Sequence, residues 1–216
     1  LVELRAAVRE MGESVLERLD RGLYALEDGD AEAAEAVIAG DDEINRRYLD
    51  LEEECIDLLA LQQPVAGDLR FVAASFKIIT DLERIGDLAA NLGEYALAAD
   101  GGSVTDVALY DIGSEARSLV ADALEAYARE DADLSRQVAE HDDEVDALCQ
   151  RASERVVRDL IERKTTAGDP WSVERVLDDV SRVLLTIRDL ERVADHGVNI
   201  AARTLYLVEG DSELIY

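Results

Sequence analysis

A chain of 216 residues that is 48% apolar can bury a substantial core, as one domain or as two small ones. Its 50 acidic against 22 basic residues leave a net charge of −28. That balance argues against direct nucleic-acid binding, which draws on a basic face, and reads as adaptation to a salt-rich cytoplasm that screens self-repulsion. No apolar run approaches the roughly 20 residues of a membrane-crossing helix. The N-terminus, L-V-E-L-R-A-A-V-R-E, is already charged and periodic, so no secretory leader is expected and the chain is placed in the cytoplasm.

In chain order, Leu4, Val8, Met11, Val15, Leu19, Leu23 and Leu26 recur at three- and four-residue intervals and predict an amphipathic helix over 1–28. Gly29 is available for a left-handed cap. A second helix is predicted over 31–62, loosened at Gly40 and broken at Pro64. A third runs over 66–98, with Val72, Ile79, Leu82, Ile85, Leu88 and Leu92 in its stripe. The A-A-D-G-G-S-V-T stretch at 98–105 reads as a linker. Helices then follow over 104–130, 131–164 and 172–208, the last begun at Asp169 or Ser172 after A-G-D-P-W. No stretch has the period-two alternation of a strand. The two cysteines, Cys55 and Cys149, lack C-x-x-C spacing and read as reduced, packed thiols.

The last three segments repeat the first three. At an offset of 101 positions Gly12, Leu23, Asp30, Val37, Asp41, Asp42, Glu43 and Leu59 meet identical residues. At an offset of 108, D-L-E-R-I-G-D-L-A-A-N-L (Asp81 to Leu92) meets D-L-E-R-V-A-D-H-G-V-N-I (Asp189 to Ile200). The difference sits in the turn before the last helix, where K-T-T-A-G-D-P-W is longer than Q-Q-P. The expected fold is therefore all-α: two tandem three-helix bundles, over 1–100 and 104–216, side by side.

The repeated stretches carry the chemistry. Glu83, Asp87 and Asn91, like Glu191, Asp195 and Asn199, fall at i, i+4 and i+8, one face of a helix at steps of about 6 Å. Adjacent carboxylates at that spacing repel, and a bound cation is one way to offset it. A second acidic pair recurs on the preceding helix: Asp41 with Asn45, and Asp142 with Asp146. Counted back and forward from the intervening turn, the two pairs of each half lie at similar heights, roughly 30–35 Å from it. Antiparallel neighbours would bring them face to face. Oxygen donors from two helices suit a hard cation: Fe, Mn, Mg, Ca or carboxylate-bound Zn. Any single acidic pair is more often a solvated face; the doubling of type and spacing in both halves favours a site. Asn45 leaves the first set one carboxylate short. His141 and His196 are expected at ordinary polar positions, and Arg84 and Arg192 in ion pairs. No Gly-rich phosphate loop and no nucleophile–base constellation can be picked out. A ferritin-like di-metal enzyme would need Glu-x-x-His pairs, which do not occur.

With its duplicated three-helix unit, the Q-Q-P-V-A-G-D-L-R turn at 62–70 and the two D-L-E-R-[IV]-x-D motifs, the chain resembles the PhoU family of phosphate-uptake regulators over nearly its whole length. The resemblance implies two three-helix bundles whose paired motifs hold multinuclear iron or zinc clusters. Carried over, the metal ligands would be Asp41, Glu83 and Asp87 in the first half and Asp142, Asp146, Glu191 and Asp195 in the second. It also implies a non-catalytic adaptor, expected as a homodimer. Such an adaptor restrains phosphate uptake and phosphate-starvation signalling through the ATPase subunit of the Pst phosphate transporter and a sensor kinase. The competing reading is a module of the same fold that regulates another ion transporter or a transcription regulator.

Overall fold

The computed structural model describes residues 1–99, 107–164, 170–210 and 213–214, and only the backbone of 163, 164 and 170–172. Helix α1 spans Val2–Asp28 and buries Leu4, Val8, Met11, Val15, Leu19 and Leu23, the predicted stripe. Gly29 ends it at φ 65, in the left-handed region that glycine adopts without a Cβ penalty. Asp30 caps the next helix, accepting from the Glu32 and Ala33 amides at 3.0 and 3.1 Å.

The segment expected as one helix over 31–62 forms two. Helix α2 is Ala31–Ala39 and α3 is Asp41–Gln62, parted at Gly40. The turn after α3 carries Gln63 and Ala66 at positive φ, 45 and 48. Helix α4 follows over Gly67–Leu97, then α5 over Leu109–Arg129, α6 over Ala132–Lys164 and α7 over Pro170–Glu209. No strand occurs among the described residues. Most of the 98–105 linker, and residues 165–169 before α7 with the proposed starter Asp169, lie outside them.

In the first half α1, α3 and α4 pack on one another, with α2 against α1 and α4; in the second, α5, α6 and α7 pack on one another. Between the halves α1 meets its counterpart α5, and α4 meets α7. That is the self-complementary pairing of a two-fold interface, realised within one chain. The glycines show it residue by residue. A Cβ on Gly12 would lie 2.7 Å from the Leu124 methyls, and one on Gly113 would lie 2.1 Å from a Leu23 methyl. Gly12 and Gly113, and Leu23 and Leu124, are equivalent at the 101 offset, so each half supplies the small residue that receives the other's leucine. One large buried cluster draws on all seven helices, so the halves share a continuous core. The helices α3 and α6 flank it, and their inner faces meet α4 and α7.

Candidate metal centre: two carboxylate clusters

Because α3 runs antiparallel beside α4, and α6 beside α7, the acidic pairs meet in both halves. Asp41 comes close enough to Glu83 and Asp87 to raise the pKa of each, and Asp142 feels Asp146, Asp195 and Glu191. Among the described residues, no three His, Cys, Asp or Glu side chains are drawn together closely enough to hold one ion as they stand.

In the first cluster Arg18 pairs with Asp41. Asp41 opens α3, among three acidic residues in a first turn where the helix dipole favours negative charge. Its Oδ1 accepts from Arg18 Nη2 at 3.2 Å and its Oδ2 from Asn45 Nδ2 at 2.9 Å. Arg18 comes from α1 and is 7% exposed. Its Nη2 also donates to the Val37 carbonyl at 2.7 Å, in the last turn of α2, where carbonyls have no partner further along the helix. Burial lowers the Arg18 pKa, against the pull of Asp41, Asp87 and Glu43. Burial likewise raises Glu83 and Asp87, while Arg84 and His196 oppose it at Glu83, and Arg84, Arg18 and Arg192 oppose it at Asp87. A groove of about 440 Å³ opens beside this cluster, with Asp41, Asp87, Arg84 and Arg192 in its wall.

The second cluster has four carboxylates and less relief. Burial, then Asp146, Asp195, Asp143 and Glu191, push Asp142 up to about 6. Asp142 Oδ1 is buried without a hydrogen-bond partner. Glu191 is raised by burial and by Asp146 and Asp195, with no cation opposing. Asp195 is raised by burial and Asp146, with His196 and Arg192 pulling the other way. Cys149 lies beside these groups, and burial with their charge pushes its thiol up to about 12, so it stays a neutral thiol.

These environments bear differently on a metal. An all-oxygen set with surplus negative charge and an orphaned buried oxygen fits a hard cation. In the first cluster both oxygens of Asp41 are already engaged by side chains of the chain itself.

The repeated stretch has a further face that spacing alone does not disclose. Its first residue, Asp81 or Asp189, reaches the Asn of the other copy: Asn91 Nδ2 donates to Asp189 at 3.0 Å and Asn199 Nδ2 to Asp81 at 3.4 Å. The asparagines thus join α4 to α7 across the two-fold. Tyr95 adds a 2.9 Å bond to Asp189, which is 3% exposed. His196 Nδ1 lies 2.9 Å from Asp81, so this histidine is a bridge between halves. His141 lies 3.1 Å from Glu115, and Arg192 pairs with Asp189 at 3.4 Å. Arg18 could have been noticed in the sequence as a lone cation inside the α1 stripe, opposite Leu119 at the 101 offset.

Comparison with known proteins bears on the whole chain. The PhoU domain profile matches residues 8–96 and again 109–204. A phosphate-specific transport system accessory protein PhoU homolog of Pseudomonas aeruginosa is 37% identical over 213 residues, 97% of this chain and 84% of that protein. The accessory protein PhoU of Serratia marcescens is 32% identical over 97% of this chain and 83% of its own length. The crystal structure of PhoU from Pseudomonas aeruginosa superposes with a TM-score of 0.87 at 36% identity, covering 98% of each chain. The phosphate transport system regulatory protein PhoU from Streptococcus pneumoniae superposes at 0.86 and 30% identity, over 97% of this chain and 95% of its own.

Proposed function

The chain belongs to the PhoU family, and on that premise we propose that it is a metal-binding cytoplasmic adaptor, not an enzyme, that restrains phosphate uptake and phosphate-starvation signalling. It does so by contact with the ATPase subunit of the Pst phosphate transporter, with a sensor kinase as a further partner, and it acts as a homodimer. Its relatives are named as accessory proteins of the phosphate-specific transport system. Among the described residues no helix is long and apolar enough to cross a membrane.

The observation that carries the metal reading is the second cluster, where Asp142 Oδ1 is buried without a partner among four mutually repelling carboxylates. Asp142 and Asp146 from α6 and Glu191 and Asp195 from α7 would hold iron or zinc, with manganese, magnesium or calcium as further occupants. A bound cation supplies the positive charge these residues lack. The carboxylates themselves repel one another where α6 meets α7 and make that seam acidic.

Two measurements test this. Elemental analysis after purification in high salt should find metal in the wild type and less in a Glu191→Ala/Asp195→Ala variant; equal content in both would sink the metal site. Co-purification with the Pst ATPase subunit, together with phosphate uptake in cells lacking this protein, tests the role. Loss of the protein should raise uptake at high external phosphate, and unchanged uptake with no co-purification would refute the adaptor reading.

A further inference from the structure

We infer that Arg18 is the built-in cation of the first cluster, so that metal loads the second cluster alone. This rests on the metal reading above and concerns what divides the two copies. Asp41 and Asp142 are equivalent at the 101 offset, as are Arg18 and Leu119, Val37 and Val138, Gly40 and His141. In the first half the helix breaks at Gly40, and Arg18 reaches from α1 to the break, holding the Val37 carbonyl at 2.7 Å and Asp41 at 3.2 Å. In the second half α6 runs unbroken through His141. There Leu119 packs on Gly197, whose Cβ, if present, would lie 2.4 Å from a Leu119 methyl. Asn45 completes the difference by donating to Asp41 at 2.9 Å where the second half has the carboxylate of Asp146.

The charges follow directly. The first cluster sets three carboxylates against Arg18, with Arg84, Arg192 and His196 nearby; the second sets four carboxylates against Arg192 and His196, which act on Asp195, with no Arg at the place equivalent to Arg18. A metal ion at Asp41 would have to displace Arg18, a residue 7% exposed, from its ion pair, leaving it to the weaker pull of Asp87 and Glu43. A metal ion at Asp142 meets an oxygen that has nothing to give up. The metal-responsive surface is then confined to the α6–α7 side, and the α3–α4 side keeps its geometry whether or not metal is present.

The test uses the full chain with Zn²⁺ as probe, equilibrated by dialysis at constant salt and read by elemental analysis. Glu191→Gln/Asp195→Asn should abolish bound zinc, and Glu83→Gln/Asp87→Asn should leave it at the wild-type level. Arg18→Leu/Asn45→Asp should add a second load that survives Glu191→Gln/Asp195→Asn. Zinc retained by Glu191→Gln/Asp195→Asn and lost on adding Glu83→Gln/Asp87→Asn would overturn the inference while leaving the metal reading intact. A wild type that binds no zinc or iron overturns both. Thermal unfolding of the metal-free protein probes Arg18 without metal and without its removal. Asp41→Asn should lower the midpoint and Asp142→Asn should raise it; shifts of the same sign refute the assignment of Arg18 as the internal cation.

Discussion

Asp41 and Asp142 stand at equivalent places in two copies of one unit, and their surroundings are opposite. Asp41 has a partner on each oxygen, Arg18 and Asn45. Asp142 has a buried oxygen with none, and its pKa is pushed up to about 6. Around them the frame is the same: equivalent helices, glycines at Gly12 and Gly113, and reciprocal Asn–Asp bonds across the two-fold. The contrast shows that i, i+4 spacing selects a helix face, while the residue arriving from another helix decides what that face can do. One arginine in α1 gives Asp41 a cationic partner, although its own Nε and Nη1 are buried without a hydrogen bond.

The comparison is broken most severely by Asp41→Leu, which strands Arg18 in a buried place. It should cost about 2–3 kcal/mol in urea unfolding, discounted because Asp41 keeps some solvent contact. Asp142→Leu should cost far less, and equal losses would erase the distinction. The shared frame makes the next prediction symmetric. Gly12→Leu and Gly113→Leu each force a side chain into a position already filled by the other half's leucine, and each should cost about 1–3 kcal/mol. A large effect at one and none at the other would show that the two-fold packing is unequal. Asp142→Asn relieves repulsion and should stabilise the metal-free protein by about 1 kcal/mol at pH 7.

The pH dependence has the same origin. A carboxylate held above its unfolded pKa favours the folded state while protonated, so this contribution is fully present below about pH 4. It is lost as pH rises through about 6 for Asp142. Glu83, Asp87, Glu191 and Asp195 are raised too and act in the same sense. Metal-free stability should therefore fall with rising pH across that window, less steeply in Asp142→Asn than in the wild type. An identical slope would mean that Asp142 ionises without strain. An effect of similar size and opposite sign to that of Asp142→Asn is expected at the bridge between halves: His196→Leu removes the contact with Asp81 and should cost about 1 kcal/mol.

Much of this was legible in the residues. The three- and four-residue periodicity of Leu4 to Leu23 predicts α1 because burial needs an apolar stripe and a helix turns every 3.6 residues. The repeat predicts two equivalent halves, and the heights of Asp41 and Glu83 from their shared turn predict that the acidic pairs meet, since the rise per residue is constant. The break at Gly40 was foreshadowed as a loosening. His141 stands at the equivalent place in α6, which runs unbroken.

Sequence alone thus determined the fold class, the duplication and the matching heights of the acidic pairs, since helix periodicity and rise per residue are local. Tertiary structure decided which carboxylates are neutralised. Arg18 lies 23 positions before Asp41, and Asn91 lies 98 before Asp189. Contacts that distant depend on how helices cross and which rotamers the crossing leaves open, and periodicity encodes neither. The charge of each cluster was written in the chain, but the balance of charge was settled only when α1 packed beneath the α2–α3 break.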